Sequence, residues 1–91
     1  MEIEDKLQEL LNTGKVNEAI ACAEEHLKSG GEATDNLYYL LGNAYRKKGD
    51  WQHAIDNYLE AMSLNPESPA KQAYSMAMDI LNFFNKDMYN Q

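Results

Sequence analysis

A chain of 91 residues, 44% of them hydrophobic, is long enough for one small domain with one modest core. Fifteen acidic residues against eight basic ones give a net charge of -7, which argues against nucleic acid and anionic membranes as partners, because both bind basic surfaces. The single cysteine, Cys22, excludes a disulfide within the chain. No apolar run resembles a signal peptide or a membrane span, so we expect a cytoplasmic protein.

The acidic charge is uneven along the chain. Residues 1–34 carry eight acids and three bases, residues 35–68 carry five and three, and residues 69–91 carry two and two. We interpret the excess as a surface charge that keeps the protein soluble.

The first two predicted helices cover residues 2–12 and 16–28. Their apolar side chains recur at helical spacing. These positions are Ile3, Leu7, Leu10 and Leu11 in the first helix, and Val16, Ala19, Ile20, Ala23 and Leu27 in the second. Gly14 is expected to separate the helices, because glycine readily adopts the left-handed conformation that ends a helix.

Three further helices are predicted at 35–48, 51–64 and from about 68 to Phe84. Asp35 and Asp50 are the expected N-caps of the third and fourth helices, and Gly49 lies between them. Asn65 and Pro66 end the fourth helix, since proline disfavours helical backbone in the residue before it. A serine followed by proline, Ser68 and Pro69, then opens the fifth.

Two segments of the chain repeat each other. Residues 14–20 align with residues 49–55, and the glycine, the alanine and the isoleucine coincide. The two segments are offset by 35 residues. A repeat of this period in a wholly helical chain is typical of a solenoid, in which each helical hairpin stacks on the next.

The second unit carries a pattern of eight residues at fixed spacing. They are Tyr38, Leu41, Gly42, Tyr45, Ala54, Tyr58, Ala61 and Pro66. This pattern resembles the tetratricopeptide repeat family, with Tyr58 in place of the usual phenylalanine. Gly42 and Ala54 are small where the two helices of one hairpin are expected to cross closely. The resemblance implies an all-α fold in which antiparallel helical hairpins stack as a short right-handed superhelix.

One domain is expected over residues 1–91. Residues 35–68 form the well-matched repeat, and residues 1–34 form a degenerate one in which Leu7 replaces the family glycine. Residues 69–84 supply a C-terminal capping helix, with Met76 at the glycine position, and residues 85–91 a tail. Terminal repeats are commonly atypical because one of their faces meets water.

The resemblance also implies where a partner binds. First helices of the repeats line a groove that holds a protein or peptide segment. The second unit contributes Asn36, Tyr39, Asn43, Arg46 and Lys47 to this groove. The first unit adds Glu4, Gln8, Leu11 and Asn12, and the last helix adds Ala70, Ala73, Ala77, Ile80 and Leu81. For Arg46 and Lys47 the alternative is a solvated helix end that complements the helix dipole.

A subset of the family grips the C-terminal carboxylate of a partner with lysines, asparagines and an arginine. Asn43 matches one of the asparagines. Tyr39, Ala70 and Tyr74 stand where cations are needed, so we do not expect recognition of that type.

Apolar residues at the C-terminus suggest a second function, self-association as a homodimer or docking on a separate protein. The residues are Phe83, Phe84, Met88 and Tyr89. Exposed apolar patches usually mark interfaces. The alternative is a last helix almost surrounded by core, with an outer polar stripe formed by Lys71, Gln72, Ser75, Asp79 and Asn82.

No residue pattern indicates an enzyme, a cofactor or a metal site. Cys22 and His26 supply two ligands at most, and neither His26 nor His53 has a helically spaced set of carboxylates or cysteines that would make a metal site. No nucleophile has a visible base. The acids Glu24, Glu25 and Glu32 are read as solvated side chains.

Overall fold

The computed structural model describes the backbone of residues 2–84 and the side chains of residues 2–83. Five helices and no strand occur in this part of the chain. They are α1 (Glu2–Asn12), α2 (Val16–Lys28), α3 (Asp35–Lys48), α4 (Trp51–Leu64) and α5 (Ala70–Phe84). The predicted all-α fold is confirmed, and the bounds of the first four helices agree with the sequence prediction.

The helices stack in chain order, and α3 is the central one. It contacts α1, α2 and α4, whereas α5 packs against α4. One continuous core runs between them, and its largest fully buried side chains are Tyr58, Leu7 and Leu37. None of these helices is long and apolar enough to cross a membrane within the described part.

Two glycines allow the hairpins to form. Gly14 and Gly49 adopt positive φ values of 78° and 87° in the turns that follow α1 and α3, as their positions in the sequence predict. An L-amino acid with a side chain is strained in this region of the backbone map, so glycine is the favoured residue there.

A close approach of α3 and α4 explains Gly42. A Cβ atom at this position would lie 2.6 Å from Cδ1 and Cε1 of Tyr58 and 3.2 Å from the carbonyl oxygen of Ala54. The backbone oxygen cannot move away without shifting α4. The prediction that small residues mark the crossing of the two helices is therefore confirmed.

The helix caps agree with the sequence prediction at two positions and differ at one. Asp50 accepts a hydrogen bond from the His53 amide at 3.2 Å, and Ser68 accepts one from the Ala70 amide at 3.1 Å. The prediction that Asp35 caps α3 is wrong. Thr34 is the cap, with its hydroxyl oxygen 3.0 Å from the Leu37 amide, and Asp35 is the first helical residue. Threonine is itself a good cap, which lets the helix begin one residue earlier.

Candidate protein-binding face

The predicted groove residues of α3 share one side of the helix, next to α1. We call this surface the α1–α3 face, and it consists of Glu4, Gln8 and Asn12 from α1 with Asn36, Tyr39, Asn43, Arg46 and Lys47 from α3. A hydrogen bond of 2.6 Å from Asn36 Nδ2 to Glu4 Oε1 joins the two helices across it. One residue of each predicted polar group, Glu4 of α1 and Asn36 of α3, is therefore in direct contact.

One end of this face is closed by its own hydrogen bonds. Glu4 accepts from Asn36 through one carboxylate oxygen and from the Thr34 hydroxyl, at 2.7 Å, through the other. On α1, Gln8 Nε2 donates to Asn12 Oδ1 at 3.0 Å. Asn36 therefore holds α1 against the start of α3, in addition to any contact it makes with a partner.

The middle of the face is built around a buried tyrosine. Tyr58 of α4 is fully buried, and its hydroxyl donates to Asn43 Oδ1 at 2.6 Å. The ring of Tyr39 lies beside it, with centroids 6.3 Å apart and planes tilted by 40°. Burial raises the pKa of Tyr58 to about 12, so the hydroxyl remains a protonated donor well above neutral pH. Asn43 is thus half-buried and fixed in place.

The far end of the face carries two cations. Arg46 is half-buried and Lys47 is exposed, in the last turn of α3. Among residues 2–83 the only ion pair joins His53 to Asp50, so neither Arg46 nor Lys47 has a carboxylate within 4 Å there. In a chain with an excess of acids, this arrangement leaves two positive charges available on the face.

Three of the predicted groove residues belong to the core. Leu11 is 4% exposed, Ala70 is fully buried and Ala77 is 1% exposed, so the assignment of these residues to the groove is wrong. Leu11 lies one turn after Leu7 and continues the apolar stripe of α1. The small side chains of Ala70 and Ala77 let α5 lie close to α4, which covers them.

Two of the predicted self-association residues, Phe83 and Phe84, fall at the end of α5. Phe83 is 75% exposed, whereas the side chain of Phe84 and all of Met88 and Tyr89 lie outside the described residues. The predicted polar stripe of α5 is exposed as expected. Met76, at 59% exposure, lies on the same side of the helix as Phe83, seven residues later, and the sequence prediction did not select it for this role.

Away from this face, a chain of polar contacts connects three helices. Tyr45 of α3 donates a hydrogen bond of 2.5 Å to Glu24 of α2. Its ring stacks on His53 of α4 at 5.0 Å between centroids, and His53 Nδ1 lies 2.8 Å from Asp50 Oδ2. Glu24 is exposed, as predicted, and it also accepts this hydrogen bond from Tyr45. Tyr45 and Glu24 are 21 residues apart, and nothing in the sequence indicates their contact.

Cys22 and His26, which the sequence analysis considered as metal ligands, line an open depression of about 450 Å³ beside α1. His26 Nε2 is 2.9 Å from the carbonyl oxygen of Glu32. No group of three His, Cys, Asp or Glu side chains within residues 2–83 could hold a metal ion.

Comparison with known proteins agrees with the repeat pattern. A family model described as tetratricopeptide repeat matches residues 36–68. The chain is also similar to the solution NMR structure of Bacteroides fragilis protein BF1650, with 54% identity and a TM-score of 0.85, covering 100% of this chain and 92% of that one. The eight residues that define the repeat lie in α3, α4 and the turn after them, and the small and large positions pack as the repeat requires. This chain is therefore a member of the tetratricopeptide repeat family.

Proposed function

We propose that this chain is an adaptor that binds an extended segment of a partner protein on the α1–α3 face. Proteins with these repeats are in general interaction modules for proteins or peptides, and the chain shares that class. The face is polar, and hydrogen bonds to Glu4 and Tyr58 hold Asn36 and Asn43 in place. A prearranged surface of this kind loses little side-chain entropy when a partner binds.

The observation that carries this proposal is the pair Arg46 and Lys47. Both lie on the face, and neither has an ion pair within the described part of an acidic chain. Their charges also complement the dipole of α3, as do those of any cations in a last helical turn. Lys48 shares that stabilising role but points to another side of the helix, because successive residues are about 100° apart. A comparison of alanine variants at Lys47 and Lys48 therefore separates an effect on binding from an effect on the stability of α3.

A library of random twelve-residue peptides displayed on phage tests the proposal. Peptides enriched on the wild-type protein are synthesised, and their affinities are measured by fluorescence anisotropy. We expect Lys47→Ala to weaken binding by about two- to fivefold, the effect of one exposed charged contact. The matched control, Lys48→Ala, loses the same helix-dipole term and is expected to bind like the wild type.

Two results would contradict the proposal. One is equal binding by the wild type and Lys47→Ala for every enriched peptide. The other is equal loss in Lys47→Ala and Lys48→Ala, which would mean that the lysines act through the stability of α3. Circular dichroism of each variant checks that the helices are retained.

We propose self-association through α5 as a second function. Met76 and Phe83 are 59% and 75% exposed on one side of that helix. Residues 69–91 carry equal numbers of acids and bases, whereas the rest of the chain is acidic. Two copies can therefore approach through this segment with less charge repulsion than through any other.

A further inference from the structure

The hydroxyl group of Tyr58 makes a hydrogen bond to the α1–α3 face that the ring alone could not make. The ring packs against Gly42 at the crossing of α3 and α4. The hydroxyl reaches across that crossing to Asn43, a residue of the face, at 2.6 Å. The face is thus connected to a buried group of a different helix.

The direction of this hydrogen bond is fixed by burial. Tyr58 is 0% exposed, so its hydroxyl proton must be donated to a protein acceptor to avoid the cost of an unsatisfied polar group. Among the described residues, Asn43 Oδ1 is the acceptor within reach. If the amide were reversed, its NH2 group would donate to the phenol oxygen, and the phenol proton would have no acceptor. The pairing therefore selects one orientation of the Asn43 amide.

That orientation decides what Asn43 offers to a partner. Its carbonyl oxygen is turned to Tyr58, and Nδ2, for which the described part shows no acceptor, is left with its two N–H donors. Arg46 and Lys47 follow at spacings of three and four residues, so they lie next to Asn43 on the helix surface. Guanidinium and ammonium groups donate hydrogen bonds and accept none.

The three side chains together form a strip that contains only donors. We call Asn43, Arg46 and Lys47 the donor strip. Glu4 also lies on this face, at the opposite end of α3 from the donor strip. Its two carboxylate oxygens already accept hydrogen bonds from Thr34 and Asn36. A partner group that satisfies the strip must supply acceptors, and a negative charge adds the attraction of two cations.

We propose that Tyr58 is a positioning residue that makes the donor strip selective for a carboxylate side chain on the bound peptide. This inference rests on the proposed function, since it concerns the chemistry of the same face. It adds the class of ligand, an acidic segment, and names a buried residue that determines the preference without touching the ligand.

The test uses the phage-displayed library described above and the variant Tyr58→Phe. This variant removes one oxygen atom and keeps the ring that packs on Gly42, so we expect it to fold. Tyr38→Phe is the matched control, because it removes the same atom from a half-buried tyrosine whose hydroxyl has no hydrogen bond within the described part.

Peptides enriched on the wild type are expected to contain Asp or Glu. Each is compared with an analogue in which Gln or Asn replaces the acid. We expect the wild type and Tyr38→Phe to prefer the acidic peptide by about tenfold. Tyr58→Phe should lose the part of that preference that depends on the Asn43 amide, down to about threefold, because Arg46 and Lys47 still attract the acid. The ratio of the two affinities is the informative readout, because a variant that merely loosened the face would weaken both peptides alike.

The outcomes separate this inference from the proposed function. Peptides that need Lys47 but contain no acid, or a Tyr58→Phe variant that keeps the full acidic preference, would overturn the inference and leave the binding face in place. Peptides whose affinity does not depend on Lys47 would overturn both. An added readout is the side-chain NH2 resonance pair of Asn43, which we expect to shift on addition of the acidic peptide to the wild type.

Discussion

Tyr45 of α3 contacts both neighbouring helices, α2 through a hydrogen bond and α4 through ring stacking. It is 8% exposed, donates to Glu24 and stacks on His53. Burial first, and then the hydrogen bond and charge of Glu24, raise its pKa from 10.0 to about 12. The folded protein therefore keeps a proton on Tyr45 over a range of pH in which the unfolded chain releases it.

This difference predicts a pH dependence of stability. Below pH 10 the phenol is protonated in both states and its contribution is complete. As the pH rises from 10 towards 12, the unfolded chain loses the proton first, so the free energy of unfolding falls. We expect Tyr45→Phe to be less stable than the wild type by about 1 kcal/mol at neutral pH, and to show a shallower alkaline fall. Urea denaturation at pH 7 to 11.5 measures both.

The variant Glu24→Gln serves as the control for this prediction. It keeps an acceptor for the Tyr45 hydroxyl and removes the negative charge, so its alkaline fall should lie between those of the wild type and Tyr45→Phe. Parallel curves for the wild type and Tyr45→Phe between pH 9 and 11.5 would show that Tyr45 does not hold its proton through this contact.

Single residues also show the limit of sequence reasoning at the α1–α3 face. The repeat pattern placed Asn43 on the face by its position in the helix. It gave no indication that Tyr58, fifteen residues later, donates to it. The same is true of Tyr45 and Glu24, which are 21 residues apart. Such pairs depend on the rotation of neighbouring helices, which the spacing along one helix does not determine.

Individual helices were predicted closely because their ends have strong local signals. Glycines at positive φ follow α1 and α3, and Asp50 and Ser68 cap the helices after them. Asp35 is the exception, since a threonine before it competes for the same role. Asp35 is used instead at the end of α4, where it accepts a hydrogen bond of 3.1 Å from Asn65. A local pattern cannot decide between two adjacent residues that both cap helices well.

The start of α3 depends on Thr34 in two ways, which leads to a prediction for this element. Its hydroxyl oxygen accepts from the Leu37 amide and its hydroxyl proton is donated to Glu4. We expect Thr34→Ala to lower the free energy of unfolding by about 1–2 kcal/mol, because the cap and the tie to α1 are both lost. Thr34→Ser keeps both hydrogen bonds and should cost less than half as much. Chemical denaturation monitored by circular dichroism gives the comparison.

The outcome that contradicts this prediction is equal destabilisation by alanine and serine. It would indicate that the methyl group of Thr34, and not its hydroxyl, stabilises the start of α3. Asp35→Ala offers a second comparison, since it leaves the cap at Thr34 unchanged and removes the hydrogen bond that Asp35 accepts from Asn65.

Over the whole molecule, negative charge decreases from the N-terminal to the C-terminal end of the stack, whereas the exposure of large apolar side chains increases. Residues 1–34 hold eight of the fifteen acids, whereas residues 69–91 are neutral and include the exposed Met76 and Phe83. The family pattern predicted the stacking order but not the packing of its last helix. Positions that would line a groove in an inner repeat are buried against α4, as Ala70 and Ala77 are.

This distribution leads to a prediction for the molecule in solution. If two copies meet through α5, the molar mass measured by light scattering should rise with protein concentration towards twice the monomer mass. Added salt should strengthen the association, since it screens the repulsion between two acidic chains while leaving apolar contact intact. Met76→Lys should lower the mass, because a charge in the contact loses its hydration. Ser75→Lys adds the same charge on the polar stripe and should leave the association unchanged.

A mass that stays monomeric at every concentration and salt level would exclude this contact between copies and leave the α1–α3 face as the proposed binding surface. Equal effects of Met76→Lys and Ser75→Lys would place the contact elsewhere, because Met76 lies on the side of α5 that Phe83 occupies and Ser75 does not. The two proposed surfaces belong to different helices, so Lys47→Ala should leave the mass unchanged and Met76→Lys should leave peptide binding unchanged. An association that Lys47→Ala abolished would mean that the partner on the α1–α3 face is a second copy of this chain.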